Sequence, residues 1–192
     1  MAASQQGIPL EEPSANAEIL LQYELSPSAI FPAFTASTAF DLGCAIRNRI
    51  LSLPASQRKP AVVSITSCQG NQTLFHAVTE SGTTPDNEEW VRRKRNTVLR
   101  WACSTWALRR KMVGSSDSGF GEAFVEKAFA QKHGLKSSVP EGVPDDYAIH
   151  GGGFPIKVES VDGIVGVIVV SGLKQHHDHQ VIVETISDYL KR

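Results

Sequence analysis

His150 is followed by Gly151, Gly152 and Gly153, and then by Phe154 and Pro155. Glycine has no Cβ, so a run of three lets backbone N–H groups face a bound anion. A neutral imidazole beside them can hydrogen-bond or ligate through a ring nitrogen. An HGGG turn also serves esterases as an oxyanion hole, but that chemistry needs a serine on a GxSxG elbow. The chain has no such elbow, and the GSSDSG string from Gly114 to Gly119 has the wrong spacing. The dinucleotide fingerprint fails as well, since neither the third glycine nor a following helix is in place. The remaining reading is architectural: the glycines bend or bulge a strand start, and Pro155 prevents early pairing. Cradle and bend are compatible, and the residues alone leave both open.

A second group is His176, His177 and His179. His176 and His179 would share a helix face, a spacing that a metal site uses. Neither an HExxH string nor a cysteine accompanies them, so they read as solvated first-turn residues or interface contacts, with Asp178 as a polar helix start. No metal site is assigned. A third group, Arg92, Arg93, Lys94 and Arg95, is reinforced by Arg100, Arg109, Arg110 and Lys111 and interleaved with Trp90, Trp101 and Trp106. Tryptophans stack on bases and guanidinium groups grip phosphates. Four consecutive charges point all round a helix, however, and an apolar stripe with cations in intersubunit ion pairs is the better reading. Trp90, Arg92, Arg93 and Arg95 are therefore the candidate oligomer contacts. Cys68 and His76 fall in neighbouring strands, but with no third group to orient them they read as paired core residues and not as nucleophile and base. Nothing names a reaction, and catalytic residues stay unassigned.

These groups need elements to hold them. Polar residues with Pro9 and Pro13 lead the chain as a loose tail, and AEILLQYEL reads as a short docking helix, so residues 1–34 stand apart from a domain over 35–192. Phe34, Ala39, Leu42, Cys44, Ile46, Ile50 and Leu53 recur at helical spacing, with Thr35 or Ser37 as cap and Pro54 as stop. AVVSITSC and QTLFHAVTE form a hairpin about the Gly70-Asn71 turn. A helix of about 26 residues follows, capped by Asp86 and ending in Arg109, Arg110 and Lys111, a rod of roughly 40 Å. EAFVEKAFAQKHG is an amphipathic helix closed by Gly134. FPIKVES and IVGVIVVSG form a second hairpin about Val161-Asp162-Gly163, and a helix from near His176 closes the chain. Strands joined by short turns make an antiparallel sheet, so the class is α+β, one layered domain with helices packed on its sheet.

With 192 residues, 41% hydrophobic and 20% charged, and a formal net charge of -1, the chain suits one ordinary globular domain. Near-neutral charge gives no reason to expect nucleic acid or membrane as partners. No apolar run is long enough to cross a bilayer, and the start lacks the basic leader and apolar stretch of a signal peptide. Cys44, Cys68 and Cys103 match no disulfide framework and no CxxC motif, which points to the reducing cytoplasm.

Three strings together resemble the haem-degrading-domain superfamily of GlcG and HbpS relatives: Asp86 to Asn96, Ala148 to Ile156, and Val170 to Leu173 with Gln175, Asp178 and His179. The resemblance covers roughly residues 35 to 190. It implies a profilin-like sheet of about five antiparallel strands flanked by helices, the fifth strand lying around Tyr147 to His150, and assembly into dimers or larger rings. It gives the overlong basic helix a use as an oligomer contact. Members bind or degrade haem or accompany glycolate or corrinoid metabolism, so haem is one of several ligands it admits. It places the ligand site at the GGGFP loop: His150 as axial ligand or hydrogen-bond partner, Gly151, Gly152 and Gly153 as N–H donors, Phe154 as apolar wall. The expected protein is a cytosolic homo-oligomer binding a small anionic or tetrapyrrole ligand. The competing expectation is a protein-interaction scaffold in which the glycines only shape the sheet.

Overall fold

The computed structural model describes residues 7–114, 124–136 and 146–191. Its described elements are α1 (Ala17–Glu24), β1 (Ile30–Phe31), α2 (Ala36–Leu51), β2 (Val62–Ser67), β3 (Thr73–Val78), α3 (Pro85–Trp101), α4 (Thr105–Gly114), α5 (Val125–Lys132), β4 (Gly153–Val158), β5 (Gly166–Ser171) and α6 (Gln175–Leu190). The strands form one five-stranded sheet in the order β1-β4-β5-β2-β3. Both expected hairpins are present, and β5 pairs antiparallel with β2 and β4.

Alternation along the central strands divides the side chains between two faces. Val62, Val167 and Val169 meet Val91 and Val98 of α3. Val63, Ile65, Ile168 and Val170 point the other way, into the larger core with Leu42, Ile46 and Ile50 of α2 and Val181, Ile182 and Ile186 of α6. All six residues of β5 are buried. The result is the α+β domain expected: one helix layer on each side of the sheet.

Two expectations are corrected. The fifth strand is not at Tyr147 to His150. It is the two-residue β1, which runs parallel to β4 in the register Ile30↔Lys157 and Phe31↔Val158, so the sheet is mixed. Near Tyr147 the backbone is committed elsewhere, since Ala148 N–H donates to Thr97 Oγ1.

The long rod is two helices. Its cap is Thr84, with Pro85 at the first helical position and Asn87 Oδ1 accepting from Thr84 N–H. It breaks at Ala102, which takes the left-handed conformation with φ 53°. Ser104 then opens α4: its N–H donates to both carboxylate oxygens of Glu24 at 3.1 and 3.2 Å, while its Oγ accepts from Ala107 N–H. A buried carboxylate delivered by α1 thus satisfies a helix start that would otherwise lie exposed within the fold.

The leading residues are tied down where they are described. Leu10 is buried and exchanges hydrogen bonds with the Gln57 amide, Arg49 donates to the Ile8 and Pro9 carbonyls, and Trp106 Nε1 donates to Ser14 O. The expected start of the α5 helix at Glu122 and Ala123 and the GSSDSG string beyond Gly114 lie outside the described residues.

Candidate functional site

Glycine, helix and strand converge where β4 begins. Gly152 has φ +113°, and a Cβ there would lie 2.3 Å from Val170 O, 2.7 Å from Asp178 Cβ and 2.8 Å from Lys94 Nζ. At Gly151 a Cβ would sit 2.2 Å from Gln175 O. Only glycine lets β5, α3 and the first turn of α6 close on this backbone together. Of the three amides, that of Gly153 is taken up within the fold. Gly153 N–H donates to Thr105 Oγ1 at 3.0 Å, and Gly152 O accepts from Val170 N–H at 2.8 Å. The bend that the glycines allow is present at Gly152.

What the bend brings together is an ion pair. Lys94 Nζ donates to Asp178 Oδ2 at 3.0 Å and to Val170 O at 2.9 Å. Leu173 N–H donates to Asp178 Oδ1 at 2.9 Å, and Gly172 N–H reaches Oδ2 at 3.4 Å. The two side chains are 3% and 4% exposed. Burial raises the Asp178 carboxyl above its ordinary range, opposed by Lys94 and by the two backbone donors. Asp178 is thus no solvated helix start, as the sequence reading held.

Above this pair lies a pocket of about 340 Å³ lined by Asn87, Trp90, Lys94, His150, Ser171, Gly172, Leu173, Gln175 and Asp178. That is near the lower end of ligand-pocket volumes, about 300–1,000 Å³. The His150 ring meets the Trp90 ring edge-on with centroids 4.6 Å apart, and the Arg93 guanidinium lies over Trp90 at 4.2 Å. His150 Nε2 faces Glu126 Oε1 at 3.3 Å, and Glu126 also accepts from the buried Arg109. Burial drives the His150 imidazole down to about 4, only partly opposed by Glu126 and reinforced by Arg109, Lys94 and Arg93. The ring is neutral at pH 7, and with its proton on Nε2 toward the carboxylate, Nδ1 keeps a lone pair. Two buried atoms of the pocket, His150 Nδ1 and Gln175 Oε1, have no hydrogen-bond partner among the described residues.

Haem does not fit as an enclosed group. The volume suits a metabolite, the floor is an ion pair, His150 turns Nε2 toward Glu126 and its Nδ1 is buried. Phe154, expected as an apolar wall, points into the main core, 1% exposed, edge-on to Tyr23 and 6.0 Å from His179.

The other groups are placed as follows. Trp90 is at the pocket mouth, and Arg92 pairs with Glu89 and Asp146. Arg95 Nε is buried without a partner among the described residues. Cys68 and His76 are not brought together: His76 stands opposite Ser64, four residues back along β2, about 13 Å at strand rise. His76 instead meets Glu88 at 3.0 Å. His179 is 1% exposed in the core, so it shares no metal-binding face with His176.

Lys94, Asp178, Asn87, Ser171 and Gln175 were missed by residue-type reasoning, because the pairing of Lys94 with Asp178 spans 84 positions. The usable signal was the resemblance itself. Each of its three strings contributes to this one pocket: Asn87, Trp90 and Lys94; His150; Ser171, Gly172, Leu173, Gln175 and Asp178.

Fold and site define a single-domain α+β protein with a small pocket walled by side chains at the edge of a glycine bend. Residues 34–187 match the family described as haem degrading protein HbpS-like, and the chain belongs to that family. It is 37% identical over 161 residues to the UPF0303 protein of Streptomyces avermitilis, covering 84% of this chain and 83% of that one. The crystal structure of the Ybr137w protein superposes with a TM-score of 0.73 at 27% identity, covering 93% of this chain and 90% of the other. HbpS shares the fold, with a TM-score of 0.53 at 16% identity over 81% and 89% of the two chains. Among the described residues no helix is long and apolar enough to cross a membrane.

Proposed function

We propose that this chain is a cytoplasmic homo-oligomer that binds a small ligand carrying a carboxylate and at least one hydroxyl or amine donor, in the pocket between α3 and the start of α6. The observation that supports this reading is a pocket lined by Lys94, Trp90, His150 and Gln175, in which His150 and Gln175 each hold a buried acceptor, Nδ1 and Oε1, with no partner among the described residues, which a turn of the side chain would offer to a ligand. Buried acceptors without donors are costly, by about 1–3 kcal/mol each, and a ligand's O–H or N–H groups relieve that cost. Around His150 the cations Lys94, Arg93 and Arg109 outnumber the carboxylates Asp178 and Glu126 by one, which favours an anionic end. Lys94 spends two ammonium protons on Val170 O and Asp178 and keeps a third for that end. Trp90 supplies the flat wall.

A tetrapyrrole remains compatible only by laying a propionate across the mouth. The family description supports that second reading. Self-association would use the outer face of α3 with Trp90, Arg92, Arg93 and Arg95, guanidinium groups being suited to ion pairs at an interface.

Thermal unfolding is followed while short hydroxy- and amino-carboxylates are added. A ligand at 100 times its Kd stabilises by about 2.7 kcal/mol, and Gln175→Ala and His150→Ala should each reduce the effect. Hemin is tested alongside by its Soret band. No stabilisation by any carboxylate and no Soret shift would leave the scaffold reading in place. A hemin shift that His150→Ala abolishes, with no carboxylate effect, would favour the tetrapyrrole. Light scattering showing a strict monomer would remove the self-association.

A further inference from the structure

The first turn of α6 has a second face. Gln175 and Asp178 look into the pocket, whereas His176 and His177 turn to the leading segment and meet Glu12. Their Nε2 atoms lie 3.9 and 3.7 Å from Glu12 Oε1, and the ligand atoms of all three residues lie within 4.8 Å of one another. We propose that Glu12, His176 and His177 form a binding site for a divalent transition metal of the zinc class, independent of the pocket.

Two imidazoles and one carboxylate are a known zinc donor set, with metal–ligand distances of about 2.0–2.2 Å. Tetrahedral coordination at such distances sets ligand atoms about 3.4 Å apart, so rotation of the Glu12 carboxylate, whose side chain is 76% exposed, together with a turn of the His176 ring, 28% exposed, closes the site. Imidazole nitrogens select against magnesium and calcium, which take oxygen ligands.

The segment that carries Glu12 is anchored on both sides of it. Leu10 is fastened to Gln57 and Glu11 N–H donates to Glu184. On the far side, Ser14 O accepts from Trp106 and Ala15 O accepts from Arg110. His177 is 6% exposed, and its Nε2 lies 3.3 Å from the Gln57 amide nitrogen. That amide donates, so Nε2 presents a lone pair on the side where Glu12 stands. On metal binding Gln57 gives up this one contact and keeps both bonds to Leu10. Three protein ligands leave a coordination position open to solvent.

The test uses the full-length, tag-free chain, stripped with chelator and titrated with zinc chloride against a chromophoric zinc indicator. One zinc per chain is expected. Glu12→Gln, at an exposed side chain that cannot disturb the core, and His176→Ala should each weaken binding about tenfold or more, scaled on the losses known for lesser changes around metal sites. His133→Ala should leave binding unchanged. Cobalt substitution should give a spectrum without a thiolate charge-transfer band. Absence of stoichiometric binding, equal affinity in Glu12→Gln and His176→Ala, or a thiolate band assigning the metal to a cysteine would each overturn the proposal.

Discussion

Replacing Lys94 by methionine keeps the length of the side chain and removes the charge that faces Asp178. The carboxylate would then be buried at 4% exposure with only the Leu173 and Gly172 N–H groups against it. Breaking a buried pair from one side costs about 3–5 kcal/mol, because the remaining charge is uncompensated. The loss should depend on pH with a defined sign. Asp178 already has a folded-state pKa raised by burial, so the folded protein holds that proton more tightly than the unfolded chain. Its contribution is present below the unfolded value of about 3.9 and is lost as pH rises through the folded value. Without Lys94 the folded value climbs further. The deficit of Lys94→Met should therefore be full near about pH 7.5 and shrink on lowering the pH to about 5. Adding Asp178→Asn, which keeps an acceptor for Leu173 N–H, should recover much of it. Urea unfolding followed by circular dichroism, at fixed protein concentration, measures all three variants. A single-variant loss below about 1 kcal/mol, or one that does not change with pH, would refute the buried-charge reasoning.

Three further substitutions have defined outcomes. Gly152→Ala should destabilise by about 3 kcal/mol or more, or abolish soluble expression, since its Cβ would displace the ion pair and Val170 O. Gly70→Ala, at φ +68° with nothing within 4 Å, should cost only about 1–2 kcal/mol of backbone strain in the same assay. His179→Leu should stabilise by about 1–3 kcal/mol, because both ring nitrogens are buried without partners among the described residues. Burial lowers that imidazole to about 3. The unfolded chain takes up the proton first, so stability is lost as pH falls from about 6.5 toward the folded value, by about 1.4 kcal/mol per unit. The leucine variant should show a correspondingly shallower acid limb in a pH series of unfolding curves, and an unchanged limb would contradict the assignment.

Periodicity was sufficient for the hairpins and for α2, whose capping residue Thr35 and buried stripe of Ala39, Leu42, Ile46 and Ile50 are as the pattern implies. It was insufficient wherever a distant group decides a local outcome. The break after Trp101 is written locally only as Ser104, a residue that caps helices but also occurs inside them. What selects the break is Glu24, 80 positions away. The strand β1 is two residues long, too short for any alternation to show. Lys94 sits in a run of four cations and Asp178 among histidines, and composition assigns such residues to solvent. Only packing, with glycines that admit no side chain, puts them together. His150 lines the candidate pocket, while Phe154, its neighbour in the same string, packs into the main core on the other face of the sheet.

The Glu24 carboxylate has a reach beyond its own helix. It seats the first residue of the turn that opens α4, the next residue is Thr105, and Thr105 in turn holds the amide of Gly153. A shortened chain beginning at the family boundary, residue 34, would lack that carboxylate, leave the α4 start to fray, and slacken the grip on the glycine bend two contacts away. The leading helix thus works as a remote clasp for the cavity, and the smallest piece that retains a formed pocket has to include it.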